Sequence, residues 1–299
     1  MRIHFLLLSA ALISFTGINA QKPILIMEDT LKIGSNKYPG ISVLIPEVEY
    51  AKTRTNWVRL QESGTRSKVV DESGKMSIFG ANSKSISDTP FNILSDIVDR
   101  DTVLRLTASF ELRKDGYIER SAGEAEVAKA KSFLFDFAKQ QYIDLVNEQL
   151  KTEENRLKDL QKELSSLQRN QSGMERKIRS NNRRIVFEKD RILVLNNELT
   201  TLSAAIYEHN LQLNSLETGA ERDEKQKYIK NMEKQKKKAT RSVKKSEKNI
   251  SKAERAIKDA NRAIPKNDTT QDRIRRSISD QEAVVQQYVD KLNRVKAYK

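Results

Sequence analysis

Lys234, Lys236, Lys237, Lys238, Arg241, Lys244, Lys245 and Lys248 form the densest run of reactive-looking side chains in the chain. Their chemistry is electrostatic. A cluster of ammonium and guanidinium groups neutralises lipid headgroups, cell-wall polymer, lipopolysaccharide or an acidic protein. Covalent and metal chemistry find few components. There is no cysteine, and the two histidines are His4 and His209. Common zinc sites and Ser-His or Cys-His nucleophile pairs therefore lack their parts. Gly80-Ala81-Asn82-Ser83-Lys84-Ser85 lacks the second glycine of a phosphate-binding loop. Carboxylates are plentiful but fall mostly at outward coil positions, where solvation explains them. We expect no catalytic, cofactor-binding or metal residues, no cofactor, and no enzymatic activity.

The charge is unevenly distributed. Lys plus Arg number 55 against 41 Asp plus Glu, a net charge of +14. Residues 221–299 hold 24 of the basic and 12 of the acidic side chains, whereas 21–120 hold about 15 and 14. The stretch Ile192 to Leu216 has no Lys or Arg and carries extra apolar residues, Leu193, Val194, Ala204, Ala205 and Leu211. That side is sticky enough for a homo-oligomer. The basic run lacks the aromatic interleaving of single-strand binders, and nucleic acid does not fit an exported chain.

A long element must carry these charges. Leu157, Leu160, Leu164, Leu167, Met174, Ile178, Ile185, Ile192, Leu195, Leu199, Leu202, Ile206, His209, Leu213 and Leu216 step by 3 and 4, with polar gaps at Gln171, Asn181 and Glu188. A mean step of 3.5 is a coiled-coil seam, and a stripe that long must be covered. A second seam follows Gly219: Ile229, Met232, Ala239, Val243, Ser246, Ile250, Ala253, Ile257, Ala260 and Ile264, continuing through Ile274, Ile278, Val285, Tyr288, Leu292 and Val295. Thr218, Gly219 and Ala220 form the expected hairpin turn. Reversal there pairs residues whose numbers sum to about 438, so Leu199 meets Ala239, Ile185 meets Ala253 and Val146 meets Leu292. Glu188 would then oppose Ile250. A kink or short loop is expected at 265–270, with Asp268 or Thr269 capping a restarted helix.

Residues 21–120 have the texture of a small α+β head. The expected order after an opening strand is βαββαβ, a ferredoxin-like arrangement, with helices at Pro46–Leu60 and Pro90–Val98. Ser121-Ala122-Gly123-Glu124 matches a capping box and should open a junction helix over 121–144, leaving 145–299 for the hairpin. Phe133, Phe135, Phe137 and Tyr142 in its first turns are expected to pack on the head.

Residues 1–20 read as a signal peptide: Arg2, an apolar run from Phe5 to Phe15, and Ile18-Asn19-Ala20 before Gln21. The expected location is the periplasm or outer-membrane surface, without lipid attachment. Asp29-Thr30-Leu31, Asp101-Thr102-Val103 and Asp268-Thr269-Thr270 resemble an Asp-Ser/Thr-apolar O-glycosylation motif of exported proteins. In architecture and charge the chain resembles the periplasmic chaperone Skp, which implies basic helical arms that hold unfolded clients. It also looks like the hairpins of efflux adaptors and of coiled-coil activators of cell-wall hydrolases. The expected role is a non-enzymatic envelope scaffold or adaptor, whose basic arm contacts another envelope protein or an anionic envelope surface. A Skp-like holdase and a coiled-coil regulator of a cell-wall enzyme are the alternatives.

Overall fold

The computed structural model describes residues 23–298, so the signal-peptide reading lies outside the described residues. Two compact units divide the chain. One runs through Asn155 and includes Ala283–Lys299, and the other is Arg156–Glu282. The chain is mainly helical, with a small antiparallel sheet and a long helical hairpin.

The sheet belongs to the first unit. Its strands are Leu25–Ile33 (β1), Asn36–Pro46 (β2), Val70–Glu72 (β3), Lys75–Ala81 (β4), Phe91–Arg100 (β5), Val103–Arg113 (β6) and Gly116–Tyr117 (β7). The order is β1-β2-β6-β5-β4-β3, with β7 also on β6. One helix, Tyr50–Gln61 (α1), precedes β3. β6 is central, pairing with β2 on one side and β5 on the other, and Leu106 through Phe110 are buried without a break. A strand covered on both faces loses the usual polar alternation.

This corrects the ferredoxin-like expectation. Every pairing is antiparallel, and Pro90–Val98, expected as a helix, forms most of β5. Phe91, Ile93, Ser95 and Ile97 are the alternating buried positions of that strand. Ser95 breaks the apolar alternation in sequence. In the structure it earns its buried place by accepting hydrogen bonds from Trp57 Nε1 (3.0 Å) and Gln61 Nε2 (3.2 Å).

The aromatic residues after the sheet complete its core. Glu124–Ser215 (α2) begins three residues later than the capping-box pattern implies, because Ser121 donates to Glu119 and Gly123 takes φ 132°. A Cβ at Gly123 would lie 2.4 Å from Glu126 Oε2 and in a conformation that side chains avoid. Glu124 and Glu126 fill the first turn, where the helix dipole favours acids. Val127, Ala130, Leu134, Phe137 and Ala138 then join the buried cluster of the sheet. Trp57 is fully buried against Phe137 (5.0 Å between ring centroids) and Phe133 (6.0 Å). The junction expected over 121–144 is thus a wall of the sheet domain.

The last turns of the second long helix, Ala220–Lys296 (α3), belong to the same unit. Leu292 and Val295 are buried with Tyr142 and Val146, which contains the expected Val146–Leu292 meeting. Lys291 Nζ donates to Glu47 Oε2 (2.6 Å), and the Tyr142 hydroxyl donates to Glu47 Oε1 (3.3 Å). Burial first, and then the Glu47 carboxylate, push the Tyr142 hydroxyl far above its usual pKa.

In the second unit α2 and α3 pack as an antiparallel pair. Met232, Ala239, Ser246, Ala253 and Ala260 are buried on α3 at strict heptad spacing. Small residues at these positions let the helices approach closely. Cross-helix contacts hold the reversal within about a turn of the expected register. Asn249 Nδ2 donates to Glu188 Oε1 (2.7 Å), Asn267 Nδ2 donates to the Leu167 carbonyl (3.1 Å), and Gln271 donates to Gln171.

α2 ends at Ser215 and α3 starts at Ala220. Gly219 lies outside the left-handed region and serves the second helix, accepting the first-turn amide of Asp223 (3.2 Å). The end of α2 is satisfied instead by Arg222, whose guanidinium donates to the Leu216 carbonyl (2.8 Å).

Pro265 sits inside α3, which continues as helix through 266–270. The short-loop reading is corrected, and with it the capping role of Asp268 or Thr269. The Thr269 hydroxyl donates to the Pro265 carbonyl (3.0 Å), an interior helix contact. The proline costs one hydrogen bond, while the seam on both sides keeps its partner helix. The Asp268-Thr269 motif is therefore helical, whereas Thr102 is exposed in the β5–β6 turn.

Gly173 is a helix-interior glycine with open space where a Cβ would go. Gly173→Ala should stabilise the hairpin by about 0.5–1 kcal/mol, because alanine loses less backbone entropy on folding. Urea unfolding followed by helical circular dichroism should show a higher midpoint at unchanged slope.

Candidate interaction surface

The eight basic residues named from sequence all lie exposed on α3 within the second unit. Seven of them fall on one outward face. With neighbours, that face reads Lys227, Lys230, Lys234, Lys237/Lys238, Arg241, Lys244/Lys245, Lys248, Lys252 and Arg255, all exposed and spaced by three or four. Lys236 lies off this stripe. Glu233, Glu247 and Glu254 fall on its flanks, so the centre carries one sign for about eight turns.

These cations are poorly compensated locally. Ion pairs in this unit join Lys162 to Asp159 and Arg275 to Asp272, 2.8 Å each; among the described residues none reaches the eight-residue run. The stripe faces away from α2, since Met232, Ala239 and Ser246 of the same helix are buried against it.

The polar gaps in the first seam are contacts in their own right. Glu188, expected to oppose Ile250, is buried and meets polar groups on the same stretch of α3, Ser246 and Asn249. The Ser246 hydroxyl, and then the Asn249 amide, hold its carboxyl below the usual 4.5. A lowered folded pKa stabilises the fold above the unfolded value and is lost as pH falls through the folded value. Glu188→Leu should therefore lose less helix signal than the parent as pH falls below the ordinary 4.5. His209, also a seam position, meets Tyr228 edge-on (5.1 Å) and pairs through Nδ1 with Gln212 Oε1 (3.1 Å).

The first unit also holds a shallow cleft that leaves no mark in the sequence pattern. A cavity of about 500 Å³ opens between β1, the start of β2 and the segment before α2, lined by Glu28, Tyr38, Ile41, Ile118 and Arg120. Its Glu28 carboxylate is already matched. Lys131 Nζ (2.6 Å) and Arg120 Nε (2.9 Å) both reach Glu28, and Lys131 first, then Arg120, lowers that carboxyl's pKa. For Asp29, burial acts to raise the pKa, but the donors Ser42 and Thr30 outweigh it and the pKa is lowered.

No helix among the described residues is long and apolar enough to cross a membrane. No protein-family model and no curated protein matches the chain. Among solved structures it is similar to a coiled-coil segment of Pyrococcus yayanosii Smc, at 18% identity and a TM-score of 0.45, over 55% of this chain and 68% of that one. A likeness at that level carries no functional argument.

Proposed function

We propose that this chain is an exported, non-enzymatic scaffold of the bacterial envelope that grips an anionic surface through the outward stripe of α3. The observation that carries the reading is the unbroken run of exposed cations from Lys227 to Arg255, set on a coiled coil whose own carboxylates lie off that face. Such a stripe concentrates field along one line and matches a repeating array of phosphates or carboxylates. The export part of the reading is supported by Arg2, the Phe5–Phe15 run and Ala20. The non-enzymatic part is supported by the absence of cysteine and the lone histidine after residue 20.

Removing residues 176–262 tests the reading. The cut takes 40 residues from α2 and 43 from α3, and a short glycine turn in its place rejoins the two helices. The shortened chain should stop binding vesicles rich in phosphatidylglycerol while its sheet domain keeps its near-ultraviolet spectrum. Full binding by the shortened chain would refute the arm as the contact.

A further inference from the structure

The outer side of α2 bears a second stripe that α3 leaves uncovered. Val186, Phe187, Leu193, Val194, Tyr207 and Leu211 are 60%, 65%, 64%, 65%, 68% and 55% exposed. Helical spacing sets them opposite the covered seam of Ile185, Ile192, Leu195 and Leu199. Four of the six keep coiled-coil rhythm with the residues between them, positions 186, 190, 193, 197, 200, 204, 207 and 211 stepping by 4 and 3, while Phe187 and Val194 flank this seam.

We infer that this stripe is a homodimer interface in which a second copy lies antiparallel across α2. The pattern is self-complementary about a two-fold axis near Glu198. Val186 then meets Leu211 of the second copy, Leu193 meets Ala204, and Asn197 meets Thr200. Asp190 falls opposite Tyr207, whose hydroxyl can donate to it. Every layer pairs an apolar residue with an apolar one or a polar residue with a hydrogen-bonding partner. A parallel pair would instead stack Asp190 on Asp190.

Charge selects this face over the other side of the hairpin. Residues 192–216 contain no Lys or Arg, whereas the outward face of α3 is the basic stripe, which repels its own copy. Covering Val186, Leu193, Tyr207 and Leu211, the large apolar residues of that seam, would bury roughly 450 Å² per copy before flanking Phe187 and Val194 are counted, over half of the 800 Å² per partner of a standard stable interface. The inference does not rest on the basic stripe having a partner.

The chain lacks cysteine, so single cysteines report the geometry. In the full chain at about 100 µM, well above a micromolar Kd, light scattering should give the mass of two chains. Thr200→Cys should cross-link between copies with a short thiol reagent. Val186→Cys should not cross-link to itself, its two copies lying about 35 Å apart along the axis, yet should cross-link when mixed with Leu211→Cys. Leu193→Asp, at an exposed site that leaves the covered seam alone, should give a monomer with unchanged helix content. A monomeric parent at that concentration, a dimer that survives Leu193→Asp, or self-cross-linking by Val186→Cys would each overturn the inference.

Discussion

Replacing Lys237, Lys238, Lys244 and Lys245 together by glutamine should weaken binding to anionic vesicles about a thousandfold. Each lysine near such a surface contributes about 1 kcal/mol, and 1.4 kcal/mol is a factor of ten, so four remove close to three decades. All four are exposed on the outward face of α3, so their loss leaves the seam untouched. The same four changed to arginine should restore binding, since charge rather than shape is the recognised property. Parent affinity should also fall steeply between about 50 and 300 mM salt, as the screening length shortens below the spacing of the stripe and the surface. Vesicle co-sedimentation measures all three. A quartet that binds like the parent would reduce the stripe to a solubilising face.

The second large effect concerns the sheet domain. Trp57→Ala should cost that domain about 3–5 kcal/mol, the range for removing a buried large aromatic. Trp57 is 0% exposed, packs edge-on to Phe137 at 5.0 Å, and donates to Ser95. Its removal also leaves the buried Ser95 hydroxyl with one donor fewer. Because Phe133 and Phe137 lie in α2, the loss should loosen the first turns of that helix as well as the sheet. Hydrogen exchange should show protection falling together at residues 91–110 and 127–138. Exchange confined to α1 would mean that the aromatic opening of α2 is not part of this core.

The hairpin was legible because period alone encodes it. Two seams of step 3.5 separated by Glu217-Thr218-Gly219-Ala220 leave a single chain few ways to cover both stripes. The gaps in the first seam were less legible. Gln171 and Glu188 interrupt the apolar run, and the structure gives them cross-helix partners on α3, Gln271 and Asn249. Pattern reading registers a polar residue as an interruption, because its partner is 61 or 100 residues away and shows no local sign.

The head was read less well for the same reason. In Phe91-Asn92-Ile93-Leu94-Ser95-Asp96-Ile97-Val98 the apolar residues satisfy both a helical and a strand period. Ser95 and Asp96 decide the matter only through tertiary contacts, with Trp57, Gln61 and Lys75. Pro265 misled in the opposite direction, because a proline that would end an isolated helix is tolerated where a partner helix holds both flanks. The basic run was visible as composition. Its gathering onto one face with Lys227, Lys230, Lys252 and Arg255 follows from the helix being continuous.

One chain doubling back on itself is what lets α3 present its cations outward. Gln171→Cys with Gln271→Cys, bridged by a short thiol reagent in dilute solution, tests this directly. A cross-link within single chains is expected, and none for Gln171→Cys with Ile278→Cys, one heptad out of register. Cross-links only between chains, or equal yields in both registers, would contradict it.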